Sequence, residues 1–160
     1  MTTLTFVHVV LSLIGIFSGF IVMFGLFAAK RLDGWTAIFL VTTVATSVTG
    51  FLFPFHRFLP SYAIGIVSLL VLTVAILARY SFHLAGGWRR SYVVTAMIAL
   101  YLNVFVLVAQ AFLKVPALKA MAPTQSAPPF LVSQLIVMAI FVVFTIFAAI
   151  KFRNEATGAA

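Results

Sequence analysis

The sequence predicts an all-α membrane protein, a polytopic bundle of five transmembrane helices. Of the 160 residues, 64% are hydrophobic and 8% are charged, with a mean hydropathy of +1.25. A soluble protein of this length could not bury so much apolar surface. Five separate runs are also long and apolar enough to cross a hydrocarbon core of about 30 Å, and basic residues fall between them. Together these observations predict the class.

The lengths of the apolar runs, and the basic, proline and glycine residues between them, place five spans in one domain over residues 1–153. They cover about residues 4–29, 34–55, 61–84, 91–113 and 130–150. Asp33 is predicted to cap the second helix. Residues 1–29 form a span rather than a cleaved signal peptide, because they lack a basic amino-terminal region. Residues 154–160 are predicted to be a disordered tail.

The basic residues also predict the orientation. Counting along five spans places seven of the ten bases at one face of the membrane. They are Lys30, Arg31, Arg79, Arg89, Arg90, Lys151 and Arg153, whereas Arg57, Lys114 and Lys119 lie at the other face. The positive-inside rule then puts the amino terminus outside and the carboxyl terminus in the cytoplasm. Because the bases punctuate apolar runs rather than forming a patch, the net charge of +8 does not indicate a nucleic-acid partner.

Several functional classes lack the residues that they need. The chain has no cysteine, which excludes disulfides, thiolate ligands and palmitoylation. Its two acids, Asp33 and Glu155, lie outside the predicted membrane interior, which disfavours a proton pump or a cation antiporter. Paired catalytic carboxylates, a P-loop, HExxH, GxSxG and CxxC are all absent, so an enzyme without a cofactor is disfavoured.

Polar side chains concentrate in the outer half of the predicted bundle. In lipid such groups face other helices or a wet cavity. The second and fourth helices carry polar stripes at helical spacing, and the first and fifth add polar groups near the outer surface. The sequence therefore predicts an outward-facing pocket, without a cofactor, that binds or passes a small, largely apolar molecule. The predicted lining is His8, Thr46, Thr49, His56, Asn103, Gln110 and Gln134.

Two alternatives stay open for these residues. His8 and His56 lie at similar depth on separate helices, so they could act as axial ligands of haem b in a redox subunit, with Arg57 near a propionate. Alternatively, the chain is a structural membrane subunit whose polar stripes meet a partner helix. Interhelical bonds of this kind contribute about 0.6 kcal/mol on average.

Gly15 and Gly19 form a GxxxG match on the first helix, which predicts close packing within the bundle or across a homodimer. Arg79 is the one base inside a predicted span. We expect its side chain to extend to the inner interface and to pair with Asp33, which would tie the second helix to the third.

The run from Met121 to Phe130 is rich in proline. It is predicted to be either a lid over the outer polar cluster or a rigid connector that starts the fifth helix with proline. The segments Tyr101-Leu-Asn-Val104 and Pro123-Thr-Gln-Ser-Ala-Pro-Pro-Phe130 resemble a family of small, uncharacterised bacterial inner-membrane proteins over roughly the last third of the chain. This resemblance implies a bacterial inner-membrane location and no particular activity.

Overall fold

The chain folds into a bundle of long helices. The computed structural model describes residues 3–30, 32–52, 60–124 and 127–158, and only the backbone of residues 60–62, 113 and 153–158. Of the residues described, 88% are helical and none lies in a strand. The elements are α1 (Thr3–Phe27), α2 (Asp33–Gly50), α3 (Pro60–Ile76), a π-helical turn (Leu77–Ser81), α4 (Trp88–Lys114), α5 (Pro116–Met121) and α6 (Pro128–Gly158). The prediction of an all-α fold is confirmed.

Four helices of the described part are long and apolar enough to cross a membrane. They are Thr3–Phe27, Ala63–Ser81, Trp88–Phe112 and Pro128–Phe152, which coincide with the predicted first, third, fourth and fifth spans. The helix α2 is not among them, although it has 18 residues. Asp33 and six Thr or Ser side chains lower its hydropathy. The end of the predicted second span, residues 53–55, lies outside the described residues.

The outside of the bundle is apolar, as expected for contact with lipid. On α6, Leu135, Val143 and Ile150 are each more than half exposed, and α1 and α3 expose comparable residues. In water such a surface would mark an interaction site. Its extent around several helices, together with their length, indicates a membrane protein.

The helices α1 and α4 lie at the middle of the bundle. The helix α1 packs against α2, α4 and α6, whereas α4 packs against α1, α3 and α6. The core between them contains Met23 of α1, Phe39 of α2, Leu100 of α4 and Phe141 of α6, all at most 5% exposed. This arrangement brings one end of α1, α2, α3 and α4 around a common space.

The GxxxG glycines of α1 face the chain's own helices. A Cβ on Gly19 would lie 2.6 Å from Leu100 Cδ1 and 2.9 Å from Phe39 Cε1. A Cβ on Gly15 would lie 3.2 Å from Thr43 Oγ1. Both glycines are buried, so in this structure the motif serves close packing within the bundle.

Arg79 joins the start of α2 to the end of α3. Its Nη2 donates to Asp33 Oδ1, which confirms the predicted pair. Its carbon Cζ lies 5.2 Å from the centroid of the Tyr92 ring, and its side chain is only 1% exposed. Arg79 therefore packs against Tyr92 of α4 inside the bundle while it binds the exposed carboxylate of Asp33, and its position relative to the membrane interface stays a prediction.

Asp33 does not act as the predicted helix cap. The capping position belongs to Leu32, whose φ of 44° is left-handed and whose side chain cannot cap. Asp33 is the first helical residue, and its carboxylate binds Arg79. An ion pair with a buried guanidinium thus replaces the capping bond that the sequence suggested.

The proline-rich segment is a connector. The helix α5 packs on α4, and Ala122 and Phe130 form a second apolar cluster with Ala109 and Phe112. Pro128 is the first residue of α6, as the connector prediction requires. The helix α6 then continues to Gly158, into the segment for which the sequence predicts a disordered tail.

We expect Asp33→Asn to lower the free energy of unfolding by about 1–2 kcal/mol, because the buried guanidinium of Arg79 loses its counter-charge. The effect is no larger because the carboxylate of Asp33 is largely exposed to water. Unfolding by SDS in mixed micelles measures the change. Glu155→Gln, which removes the chain's other carboxylate, is the matched control. Equal stability of the Asp33 variant and the control would contradict a structural role for the pair.

Candidate functional site

A cavity of about 110 Å³ lies among α1, α2, α3 and α4. All four helices contribute from the end that holds the start of α1, which is the half predicted to be outer. Its polar lining consists of His8, Ser12, Thr46, Ser47, Ser68 and Asn103. Its other lining residues are Gly50, Phe51, Ile64, Gly65, Leu102 and Val106. Since a water needs about 10–15 Å³ by such a measure, the space holds several waters or a small organic group.

His8 is held against α2 by Thr49. The distance from His8 Nδ1 to Thr49 Oγ1 is 2.8 Å. The Thr49 hydroxyl also lies 2.8 Å from the carbonyl oxygen of Ala45, to which it donates. Because a hydroxyl has one hydrogen, that donation leaves Thr49 to accept from a protonated Nδ1. This bond fixes the imidazole at the rim of the cavity.

Asn103 supplies the deep polar group. It is 8% exposed, and its Nδ2 donates to Thr43 Oγ1 at 3.3 Å. Gly15 of α1 packs over this bond, since a Cβ there would lie 3.6 Å from Asn103 Nδ2. The bond therefore joins α4 to α2 at the point where α1 comes closest to both.

The wall between α2 and α3 is formed by two serines. Ser47 donates to Ser68 Oγ at 3.1 Å, and both residues line the cavity. Gly65 lies one turn before Ser68 and faces Phe51, because a Cβ on Gly65 would come within 2.8 Å of Phe51 Cζ. Small residues on α3 thus make room for both the serine pair and the phenyl ring.

The structure brings some of the predicted site residues together. His8, Thr46 and Asn103 line the cavity, and Thr49 does not line it but holds His8 through a hydrogen bond to Nδ1. His56 lies outside the described residues.

Two predicted residues do not line the cavity. Gln110 is exposed, because at its level α4 packs against α5 and the start of α6 on its other side. Gln134 is buried, but its Nε2 donates to the carbonyl oxygen of Phe105 at 3.1 Å. It joins α6 to α4 and does not line the cavity.

The predicted site did not include Ser12, Ser47 and Ser68, which line the cavity, or Thr43, which accepts a hydrogen bond from Asn103. Ser12 lies one turn after His8 on the same face of α1, and that spacing was a usable signal. Ser68 lies in an apolar helix with no polar stripe, and Thr43 is one residue away from the stripe of Thr42, Thr46 and Thr49. Their positions depend on which faces of α2 and α3 meet, which one helix alone does not reveal.

The described residues supply one imidazole at the cavity, that of His8, and its Nδ1 is bonded to Thr49. Within the described part of the chain, no group of three His, Cys, Asp or Glu side chains could hold a metal ion. A cavity of about 110 Å³ is also small beside the about 300–1,000 Å³ of sites for drug-sized ligands. A haem site would depend on His56.

Comparison with models of protein families, with curated proteins and with solved structures gives no match to this chain.

Accessibility of the cavity can be measured with single cysteines, because the chain has none of its own. We expect Ser12→Cys to react about tenfold faster than Ser18→Cys with a small thiol reagent in detergent, since modification requires an accessible thiolate. Both serines are on α1, but Ser18 is fully buried and bonded to Ile14. Equal rates would mean that the cavity is closed to solutes.

Proposed function

We propose that this protein is a polytopic membrane protein that binds or passes a small, largely apolar molecule in the cavity among α1–α4. The observation that carries the proposal is the convergence of polar side chains from four helices on one cavity, with His8, Ser47, Ser68 and Asn103 each from a different helix. Polar groups are costly within membrane spans, and those that are found there often mark a binding site or a pathway.

Packing alone accounts for only part of this arrangement. It explains the Asn103–Thr43 and Ser47–Ser68 bonds, since each joins two helices. Packing does not require an unfilled volume between those bonds, because close contact maximises dispersion in a lipid-embedded bundle. The volume is therefore better explained as space for a ligand.

The lining also supports a mostly apolar ligand. Phe51, Ile64, Leu102 and Val106 contribute side chains to the same wall as the hydroxyls. Sites for small molecules typically combine a largely apolar surface with a few polar groups that fix orientation. The ligand then reaches the site from the bilayer or from the outer face.

The proposed setting is a bacterial inner membrane, with five spans and an outer amino terminus. In this proposal the helix α2 also crosses the membrane, in addition to the four apolar helices. Its 18 residues extend about 27 Å at 1.5 Å per residue. It packs between α1 and α3, where the hydroxyls of Thr42, Thr46 and Thr49 bond to carbonyl oxygens of α2 itself. Its low hydropathy therefore costs little in lipid.

An odd number of spans places the two termini on opposite sides. With an impermeant thiol reagent applied to bacterial spheroplasts, we expect labelling of Thr3→Cys and protection of Ala160→Cys until the membrane is permeabilised. Permeabilised cells, in which both variants react, are the control. Labelling of both variants in intact spheroplasts would mean an even number of spans and would contradict the five-span topology.

The binding function is tested by a variant that fills the cavity. Organic extracts of purified wild-type protein, examined by mass spectrometry, are expected to contain a small lipophilic molecule in stoichiometric amount, and Ser12→Leu is expected to lose it because leucine occupies its space. Ser133→Leu, on α6 away from the cavity, is the control.

Identical extracts from all three proteins would contradict binding in the cavity. A stoichiometric partner protein lost on substitution of the same serines would favour the structural-subunit alternative instead.

A further inference from the structure

Three serines of the cavity differ from eight other hydroxyl side chains of the bundle. Eight serine and threonine hydroxyls of the described helices donate to the carbonyl oxygen four residues earlier, among them Ser18, Thr73 and Thr145. That bond is the usual way to satisfy a hydroxyl in lipid. Ser12, Ser47 and Ser68 do not make it. Ser47 and Ser68 bond to each other across two helices instead.

The cavity consequently presents hydrogen-bonding capacity that the protein does not use. Ser12 Oγ has no hydrogen-bond partner in the described part of the chain. The Ser47–Ser68 pair has two hydroxyl hydrogens and uses one of them between the two residues. Asn103 Nδ2 donates to Thr43, while its Oδ1 accepts from no described donor and retains accessible surface. The unused groups are therefore both donors and an acceptor.

Apart from the imidazole of His8, which is neutral with a single proton on Nδ1, the described lining has no ionisable side chain. None of the described lining residues is Asp, Glu, Lys or Arg. A carboxylate, sulfonate or phosphate head would enter without a cation to pair with it, and an ammonium head would enter without an anion. Burial of an unpaired charge in a low-dielectric site is strongly unfavourable. The lining thus discriminates against both signs of charge.

We infer that the cavity recognises the neutral hydroxyl head of an apolar alcohol, such as a fatty or isoprenoid alcohol. A hydroxyl donates one hydrogen bond and accepts others, which complements the Asn103 Oδ1 acceptor and the serine donors. The small volume takes this head and the first carbons of its chain, beside Phe51 and Ile64. The inference rests on the proposed binding function, since it names the ligand class of that same cavity.

Four probes with one ten-carbon chain separate head-group recognition from apolar binding. They are 1-decanol, decane, decanesulfonate and decyltrimethylammonium, added to the full chain in lipid nanodiscs at equal amounts per lipid. The sequence has two asparagines, Asn103 and Asn154, so ¹⁵N-asparagine labelling gives side-chain amide signals from the cavity and from one reference. The Asn154→Gln variant assigns the two signals.

We expect decanol to shift the Asn103 amide saturably while the Asn154 amide stays unchanged. The other three probes should need roughly tenfold or more higher concentration for the same effect, because two bury an unpaired charge and one offers no hydrogen bond. The double variant Ser12→Ala/Ser68→Ala should bind decanol several-fold more weakly than the wild type, while Asn103 Oδ1 and Ser47 keep its affinity above that of decane. Ser133→Ala, whose hydroxyl bonds to its own helix in the wild type, should behave as the wild type does.

Other outcomes separate this inference from the proposed function. If decane or a charged probe shifts Asn103 as effectively as decanol, the cavity binds ligands but head-group recognition is overturned. If none of the four probes shifts Asn103, both the inference and the proposed binding function are overturned. An unchanged decanol response in the double serine variant would also overturn the recognition by serine hydroxyls.

Discussion

The constraint on which this structure depends is that lipid offers no hydrogen bonds. Each polar group within a span must then find its partner on its own helix, on a neighbouring helix or in an enclosed space. Thr46 and Thr49 use their own helix, and Asn103 uses Thr43 of a neighbour. Of the cavity serines, Ser47 and Ser68 bond only to each other, and Ser12 bonds to no described residue. This difference separates the groups that hold the bundle together from those that the proposed ligand would contact.

The helix α2 combines these roles. Its hydroxyl side chains make it too polar to qualify as a span by hydropathy, yet α1 and α3 pack against it on either side. One of its threonines holds His8, another accepts from Asn103, and Ser47 reaches Ser68. A polar helix of this kind is stable in the bundle because its neighbours cover its polar face. It thereby supplies the site without a charged residue in the membrane interior.

The two ends of the bundle differ in chemistry. At the end opposite the cavity, Arg79 binds Asp33 beneath the Tyr92 ring, and this charged contact fixes α2 relative to α3 and α4. The described lining of the cavity contains no Asp, Glu, Lys or Arg, and the contacts there are single hydrogen bonds. Such bonds are worth little individually in membranes, whereas a buried guanidinium strongly requires its partner. We expect the charged end to set the relative positions of the helices from which the cavity is built.

The sequence by itself determined the helical class, four apolar spans, the Arg79–Asp33 pair and the presence of polar groups in one half of the bundle. These features follow from composition and from helical spacing, which depend on one segment at a time, or from charges too few to have other partners. Only the tertiary structure decided that Asn103 meets Thr43, that Ser12 and Ser68 join the lining, and that Gln110 and Gln134 do not. The physical reason is that helix periodicity places residues on a common face but leaves open which neighbour covers that face. That choice depends on packing between side chains far apart in the sequence, such as Gly19 against Leu100 and Phe39.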